Sequence, residues 1–327
     1  MKSKKFLAIL LTATMLLSTA LVGCGGSSDG KKPAEGGKKG QSITLISSDA
    51  KTLDTSKSTD QMSFNAINAS MEGLTRYNND KPEKAIAESW EQSKDGLKWT
   101  FKLRDAKWSD GKKVTAKDFE YAWKRILNPK TKAQYASFMF VLKNGEKFYE
   151  GKAKEEEVGV KAIDDKTLEN PTPYFLQLTA FPLLSPLRQD IVEAAGDKYG
   201  TDPSKMVFDG PFVLEKWEKG SKITFNKNPN YWDKDTVKLD KGTFQVAEEM
   251  PTRYQMFTSK QIDGTAITGE YVQKMKDEAK AGKYDYVEST DPTSFYMIMN
   301  QNGEKANKLL TNSKLRLLIQ TARTENM

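Results

Sequence analysis

Histidine is absent from the 327 residues and cysteine occurs once, at Cys24. Without imidazole there is no His-dependent triad and no His-ligated metal, and one thiol builds neither a Cys-rich zinc site nor an internal disulfide. Carboxylates remain, and Asp110 or Asp118 could be nominated as acid or base of a hydrolase acting on peptides or cell wall. Both have better structural uses. Asp110 precedes Gly111 in a tight turn, and Asp118 follows Thr115 by three residues, the spacing of a capping box with Asp in the Glu position. Most enzymatic machinery is thereby lost, and neither an enzyme nor a cofactor or metal is expected.

The lone cysteine has a different use. Lys2, Lys4 and Lys5 precede an apolar run over 6–22, and Leu21-Val22-Gly23-Cys24 closes that run before Gly25-Gly26-Ser27-Ser28. Lysines that stay cytoplasmic, an apolar stretch for the export channel and small residues ahead of the cysteine make a bacterial lipoprotein signal peptide. The run is short for a membrane span. Residues 1–23 are expected to be removed and Cys24 acylated; 24–41, lacking periodicity, form the lipidated cysteine and a flexible tether. The net charge of +7 hints at nucleic acid, but the leader carries three of those charges and the tether a net two, which leaves about +2 for the rest. The excess sits where anionic headgroups lie, so the partner is a membrane surface on the extracytoplasmic face and not nucleic acid.

Beyond Gln41 the chain has the composition of a folded protein, longer than one ordinary domain and without internal repeat. Ile43-Thr44-Leu45-Ile46 predicts a strand, and 64–74 a helix with Ile67, Met71 and Leu74 on one face. Leu97, Trp99, Phe101 and Leu103 alternate with Lys98, Thr100, Lys102 and Arg104, the period of a strand with one buried face. After Thr115, Phe119, Ala122, Trp123 and Ile126 recur at helical spacing until Asn128-Pro129. Further strands are expected at Phe212-Val213-Leu214, at 222–225 and at 294–299, and a helix at 270–281 with Val272, Met275 and Ala279 inward. Strands and helices mixed without βαβ regularity predict an α/β protein of several lobes. The aromatics Trp90, Trp99, Trp108, Trp123, Tyr174 and Trp232 read as core and turn residues, and Glu155-Glu156-Glu157 as a solvated face.

Several separated motifs resemble the peptide- and nickel-binding class of solute-binding proteins, above all its oligopeptide-binding branch. They are Thr52-Leu53-Asp54; Ala87-Glu88-Ser89-Trp90; the run from Trp99 to Arg104; and Lys107-Trp108-Ser109-Asp110-Gly111. Val114 to Phe119 with Trp123 and Arg125 follows, then Val160 to Asp165, Pro171-Thr172-Pro173-Tyr174-Phe175, Phe208 to Phe212, and Asn228 to Trp232. The resemblance implies a multi-lobed, periplasmic-binding-protein-like α/β fold of the class II type. Its lobes would be 42–71 plus 188–291, then 72–187, then the start of a third over 292–327. It also implies capture of oligopeptides, held extended between closing lobes and delivered to the permease subunits of an ATP-binding-cassette importer. Ligand-contacting positions carried over are Thr59 and Gln61 on a segment whose backbone pairs with peptide, Tyr135 as an aromatic packing on it, and Ile267 and Thr268.

The sequence departs from the family where the chain stops soon after Leu310-Thr311-Asn312-Ser313-Lys314-Leu315-Arg316. The third lobe is expected to be largely missing, with tight peptide binding weakened accordingly. A surface lipoprotein that senses or adheres, and a non-functional fragment, are the alternative readings. The anchor is tested directly: labelled palmitate should enter the wild type and not Cys24→Ala, which should leave the membrane fraction. Equal labelling of both would remove the lipoprotein assignment.

Overall fold

The computed structural model describes residues 40–78, 81–170, 172, 176–288, 299–301 and 308–324. The leader, Cys24, most of the tether, Pro171, Pro173, Tyr174, Phe175 and nearly all of the strand expected over 294–299 lie outside the described residues. In chain order the elements up to Thr265 are β1 (Ser42–Ser47), α1 (Gln61–Ser70), β2 (Thr75–Asn78), β3 (Lys81–Lys84), β4 (Ala87–Gln92), β5 (Trp99–Leu103), α2 (Ala116–Leu127) and α3 (Gly145–Tyr149). There follow β6 (Lys161–Asp164), β7 (Thr167–Asn170), α4 (Gln189–Ala195), β8 (Phe212–Glu218), β9 (Lys222–Lys227), β10 (Lys241–Val246) and α5 (Met250–Thr258). These belong to one compact unit; a second, from Ala266, carries α6 (Tyr271–Lys280) and α7 (Ser313–Thr324). Among the described residues no helix is long and apolar enough to cross a membrane.

Two four-stranded sheets and a hairpin organise the first unit. One sheet has the order β1-β10-β9-β8, the other β4-β5-β7-β6, and β2 pairs with β3. β1 runs parallel to β10, with Leu45 opposite Phe244, while the second sheet is antiparallel throughout. The alternation read in β5 is realised: Phe101 and Leu103 are fully buried, Lys102 is exposed, and Phe101 pairs with the buried Leu168 of β7. Leu97 departs from the expected face and is exposed. A turn from Ser93 to Gly96, the latter at φ 72°, delays the strand until Trp99.

α2 covers that sheet, packing on β6 and β7. Its start is fixed by Asp118, whose Oδ2 accepts from the Thr115 N–H at 2.8 Å and from the Trp108 indole at 3.3 Å. Its apolar face, Phe119, Ala122, Trp123 and Ile126, is fully buried, and the Trp123 indole donates to the Leu184 carbonyl. Burial of Trp108 and Trp123 agrees with their reading as core residues, and Trp90, Trp99 and Trp232 are half-buried against the same core. In the second unit α6 turns Met275 inward, with Val272 and Ala279 half-buried.

α1 begins three residues before the expected start and ends four before the expected stop. Asp60 caps it, accepting from the Ser63 N–H at 2.9 Å and hydroxyl at 2.7 Å. It stops at Ser70 because the backbone at Met71 is extended and Gly210 lies against it; a Cβ on Gly210 would come within 2.6 Å of the Met71 nitrogen. Leu74 reaches the core from this extended segment instead of from the helix face.

The loop between β1 and α1 is held by charge. Asp54 is buried, and both its carboxylate oxygens accept from Arg125 of α2, at 2.6 and 2.7 Å. Asp54 also accepts from the Ser56 N–H at 3.1 Å, and the Arg125 guanidinium lies 5.7 Å from the Tyr199 ring centroid. Gly200, at φ 77°, presses on the Asp54 backbone where a Cβ would stand 2.4 Å from its nitrogen. Breaking a buried pair from one side leaves an uncompensated charge. Arg125→Met should therefore lower stability by about 3–5 kcal/mol in denaturant titration, and adding Asp54→Asn should recover part of that loss. A single replacement costing less than about 1 kcal/mol would show the pair to be dispensable.

Candidate functional site

After α2 the chain makes a short turn over Pro129–Thr131 and reaches Tyr135, which opens a 3-10 turn over Ala136–Met139. The Tyr135 hydroxyl donates to the Thr59 carbonyl at 3.3 Å, and its ring lies nearly parallel to Phe64 of α1, centroids 6.5 Å apart. Thr59 is half-buried just ahead of the Asp60 cap. Gln61 opens α1 with its side chain exposed, its amide donating to Asn65. Three residues chosen by resemblance, Thr59, Gln61 and Tyr135, thus meet in one neighbourhood. Ile267, half-buried, and Thr268, exposed, belong to the second unit, on an irregular segment before α6.

Two aromatics not singled out in the sequence complete the cluster. Phe138 meets the Tyr135 ring edge-on at 5.4 Å and Phe181 at 5.9 Å, and Phe181 lies 5.1 Å from Phe64. Phe138 stands three residues after Tyr135, one turn of a 3-10 helix, and that spacing is the only sequence signal for it. Phe64, Phe138 and Phe181 form one wall of a cavity of about 670 Å³, with Gln61 and Asn68 also lining it. That volume is within the range of about 300–1,000 Å³ common for small-ligand sites.

Glu72, Arg76 and Tyr231 also line this cavity. The buried Glu72 carboxylate accepts from the Tyr231 hydroxyl at 3.0 Å, from the Trp232 indole, and from Arg76 at 3.4 Å. Arg76 also reaches Asp233 at 3.5 Å, and Arg104 stacks 3.6 Å from the Trp232 ring centroid. Behind them Asp209 is buried: Oδ1 accepts from the Glu72 N–H at 3.0 Å, while Oδ2 has no partner among the described residues. Burial pushes the Glu72 carboxyl above its ordinary range, against the opposing indole hydrogen bond, and pushes Asp209 much further up. Asp118 is raised by the same cause, against the lowering effect of its hydrogen bonds from Thr115 and Trp108. Asp110, the other nominated acid, accepts from the Arg188 guanidinium and the Lys112 N–H.

Residues 81–322 match the family model described as bacterial extracellular solute-binding proteins, family 5 middle. A dipeptide-binding protein of Bacillus subtilis is 36% identical over 307 residues, covering 89% of this chain and 56% of the relative. An oligopeptide-binding protein of the same organism is 38% identical over 276 residues, covering 80% and 49%. Among solved structures, Listeria monocytogenes OppA bound to peptide superposes with a TM-score of 0.77 at 36% identity, covering 85% of this chain and 55% of that one. The substrate-binding domain of an oligopeptide ABC transporter from Bacillus anthracis gives 0.71 at 45% identity, covering 73% and 47%. The chain spans about half the length of the curated relatives it matches.

The raised carboxyls set a pH dependence of stability. A carboxyl raised in the folded state binds its proton more tightly there than in the unfolded chain, so its contribution is full below the unfolded value and is lost as pH rises. Asp209→Asn removes that term. Measured as melting temperature from pH 4 to 7, the variant should gain on the wild type as pH rises; parallel curves would show Asp209 to be ionised in both states.

Proposed function

Since the chain belongs to the bacterial extracellular solute-binding proteins of family 5, substrate-binding components of transporters and not enzymes, we propose that it captures oligopeptides for an ATP-binding-cassette importer. Cys24 holds it by lipid on the outer face of the cell membrane, and its protein partners are the importer's permease subunits. The observation that carries this reading is the convergence of Thr59, Gln61 and Tyr135 beside an open, aromatic-walled cavity that Gln61 lines and whose Phe64 and Phe138 touch the Tyr135 ring. A receptor for many peptides binds what they share, the backbone, and leaves room for side chains and water. Gln61 offers an exposed amide, and Tyr135 and Phe138 offer ring surface for such a ligand.

The lobe division follows the same reading. We assign a first lobe to 42–71 plus 188–291 and a second to 72–187; the strands of one sheet, from 42–47 and 212–246, and of the other, from 87–170, support the division up to Thr265, and 266–291 fall in the second compact unit. The third lobe begins at 292, and Ile267 and Thr268 contact the peptide from the segment preceding it.

Peptide binding and the role of Tyr135 are tested together by calorimetry of residues 25–327 against a mixed peptide library at high concentration. Tyr135→Ala should weaken binding by about 1–3 kcal/mol, the scale of an aromatic anchor. Tyr135→Phe, which loses only the bond to the Thr59 carbonyl, should cost about 1 kcal/mol or less. An Ala variant that melts lower but binds peptide as before would assign Tyr135 to packing alone.

A further inference from the structure

The cavity beside Tyr135 has a chemical character of its own. Phe138 keeps 43% of its surface exposed although two aromatic rings, Tyr135 and Phe181, pack against it. Large apolar surface left open inside a concavity marks a place where something apolar docks. The rest of that side is apolar too: Leu178, Phe181 and Pro182 line it together with Met71.

The charged groups in the wall do not oppose this. Arg76 is matched by Glu72 at 3.4 Å and by Asp233 at 3.5 Å, and Glu72 accepts from Tyr231 and Trp232 as well. A charged side chain entering would lose hydration and find its opposite charge already engaged, whereas an apolar one would bury ring surface at no such cost. Gln61 and Asn68 supply polar groups to the same cavity, suited to a ligand whose backbone stays wet while its side chain goes in.

We infer that this cavity is a selectivity pocket for a large apolar side chain of the bound peptide, aromatic or branched aliphatic, with Phe138 and Phe181 as the specificity-determining residues. The inference rests on the peptide-capture reading and adds to it a preference at one peptide position. At about 670 Å³ the pocket exceeds any single side chain, so it selects by class and not by one residue type, with water filling the remainder.

The test compares penta-alanine with its single-Phe and single-Lys variants, ranked against the full chain by competition in ligand-observed NMR, which reads weak binding. One position should prefer Phe over Ala by about tenfold, the scale of burying an aromatic side chain, and should disfavour Lys. Phe138→Ala should bring the Phe/Ala ratio at that position to near one, and Phe138→Leu, still apolar, should retain most of it. A ratio unchanged in Phe138→Ala, or no preferred position in the wild type, would overturn the inference while leaving peptide capture standing. Free phenylalanine amide binding as well as the best peptide would overturn it in favour of a small aromatic ligand. Failure of every peptide, penta-alanine included, would bring down the peptide-capture reading and this inference with it.

Discussion

The first unit depends on one buried charge pair. Asp54 and Arg125 meet through two short hydrogen bonds in a buried region, where either charge left without the other would be uncompensated, so the loop after β1 and the last turn of α2 are fixed to each other. Each partner stands just upstream of a site residue: Thr59 follows Asp54 by five positions, and Tyr135 follows Arg125 by ten. The hydrogen bond from the Tyr135 hydroxyl to the Thr59 carbonyl is the outward end of this clasp. Gly200 closes it from a third direction, because only a residue without a side chain can lie so near the Asp54 backbone. The candidate site, assembled from distant parts of the chain, is thus held by electrostatics and close backbone approach within the protein itself.

Much of this was legible in the sequence wherever one local rule decided the outcome. The alternation from Trp99 to Leu103, the Thr115 and Asp118 spacing and the Asn128-Pro129 stop each state a backbone preference that the fold obeys. Where local and tertiary terms competed, the local reading failed. Leu97 continues the alternation on paper, but the turn at Gly96 takes it out of the strand. Ile67, Met71 and Leu74 share a helical spacing, yet the close approach of Gly210 forces the chain straight at Met71, so Ile67 reaches the core from the helix and Met71 and Leu74 from the extended segment after it. The site divides the same way. Thr59, Gln61 and Tyr135 came from resemblance, whereas Phe138 is signalled only by its spacing from Tyr135 and Phe181 by nothing local, since the contact between the two spans 43 residues of chain.

The cavity wall also explains an otherwise costly arrangement. Burying Glu72 and Asp209 close together raises both carboxyls and leaves one Asp209 oxygen without a partner, a cost that packing alone gives no reason to bear. Glu72, however, joins the end of α1 to the turn at Tyr231 and Trp232 while its backbone N–H reaches Asp209, so three separated stretches converge on one residue. Arg104 covers the Trp232 ring, and Arg76 pairs with the carboxylate. The polar network fixes the shape of the cavity and consumes its own charge, which leaves the aromatic wall as the feature a ligand meets. A receptor that must tolerate ligands of varied charge gains from such a wall: rings attract apolar groups without imposing a sign, and rigidity at the far end spares the bound state the entropy of ordering the pocket.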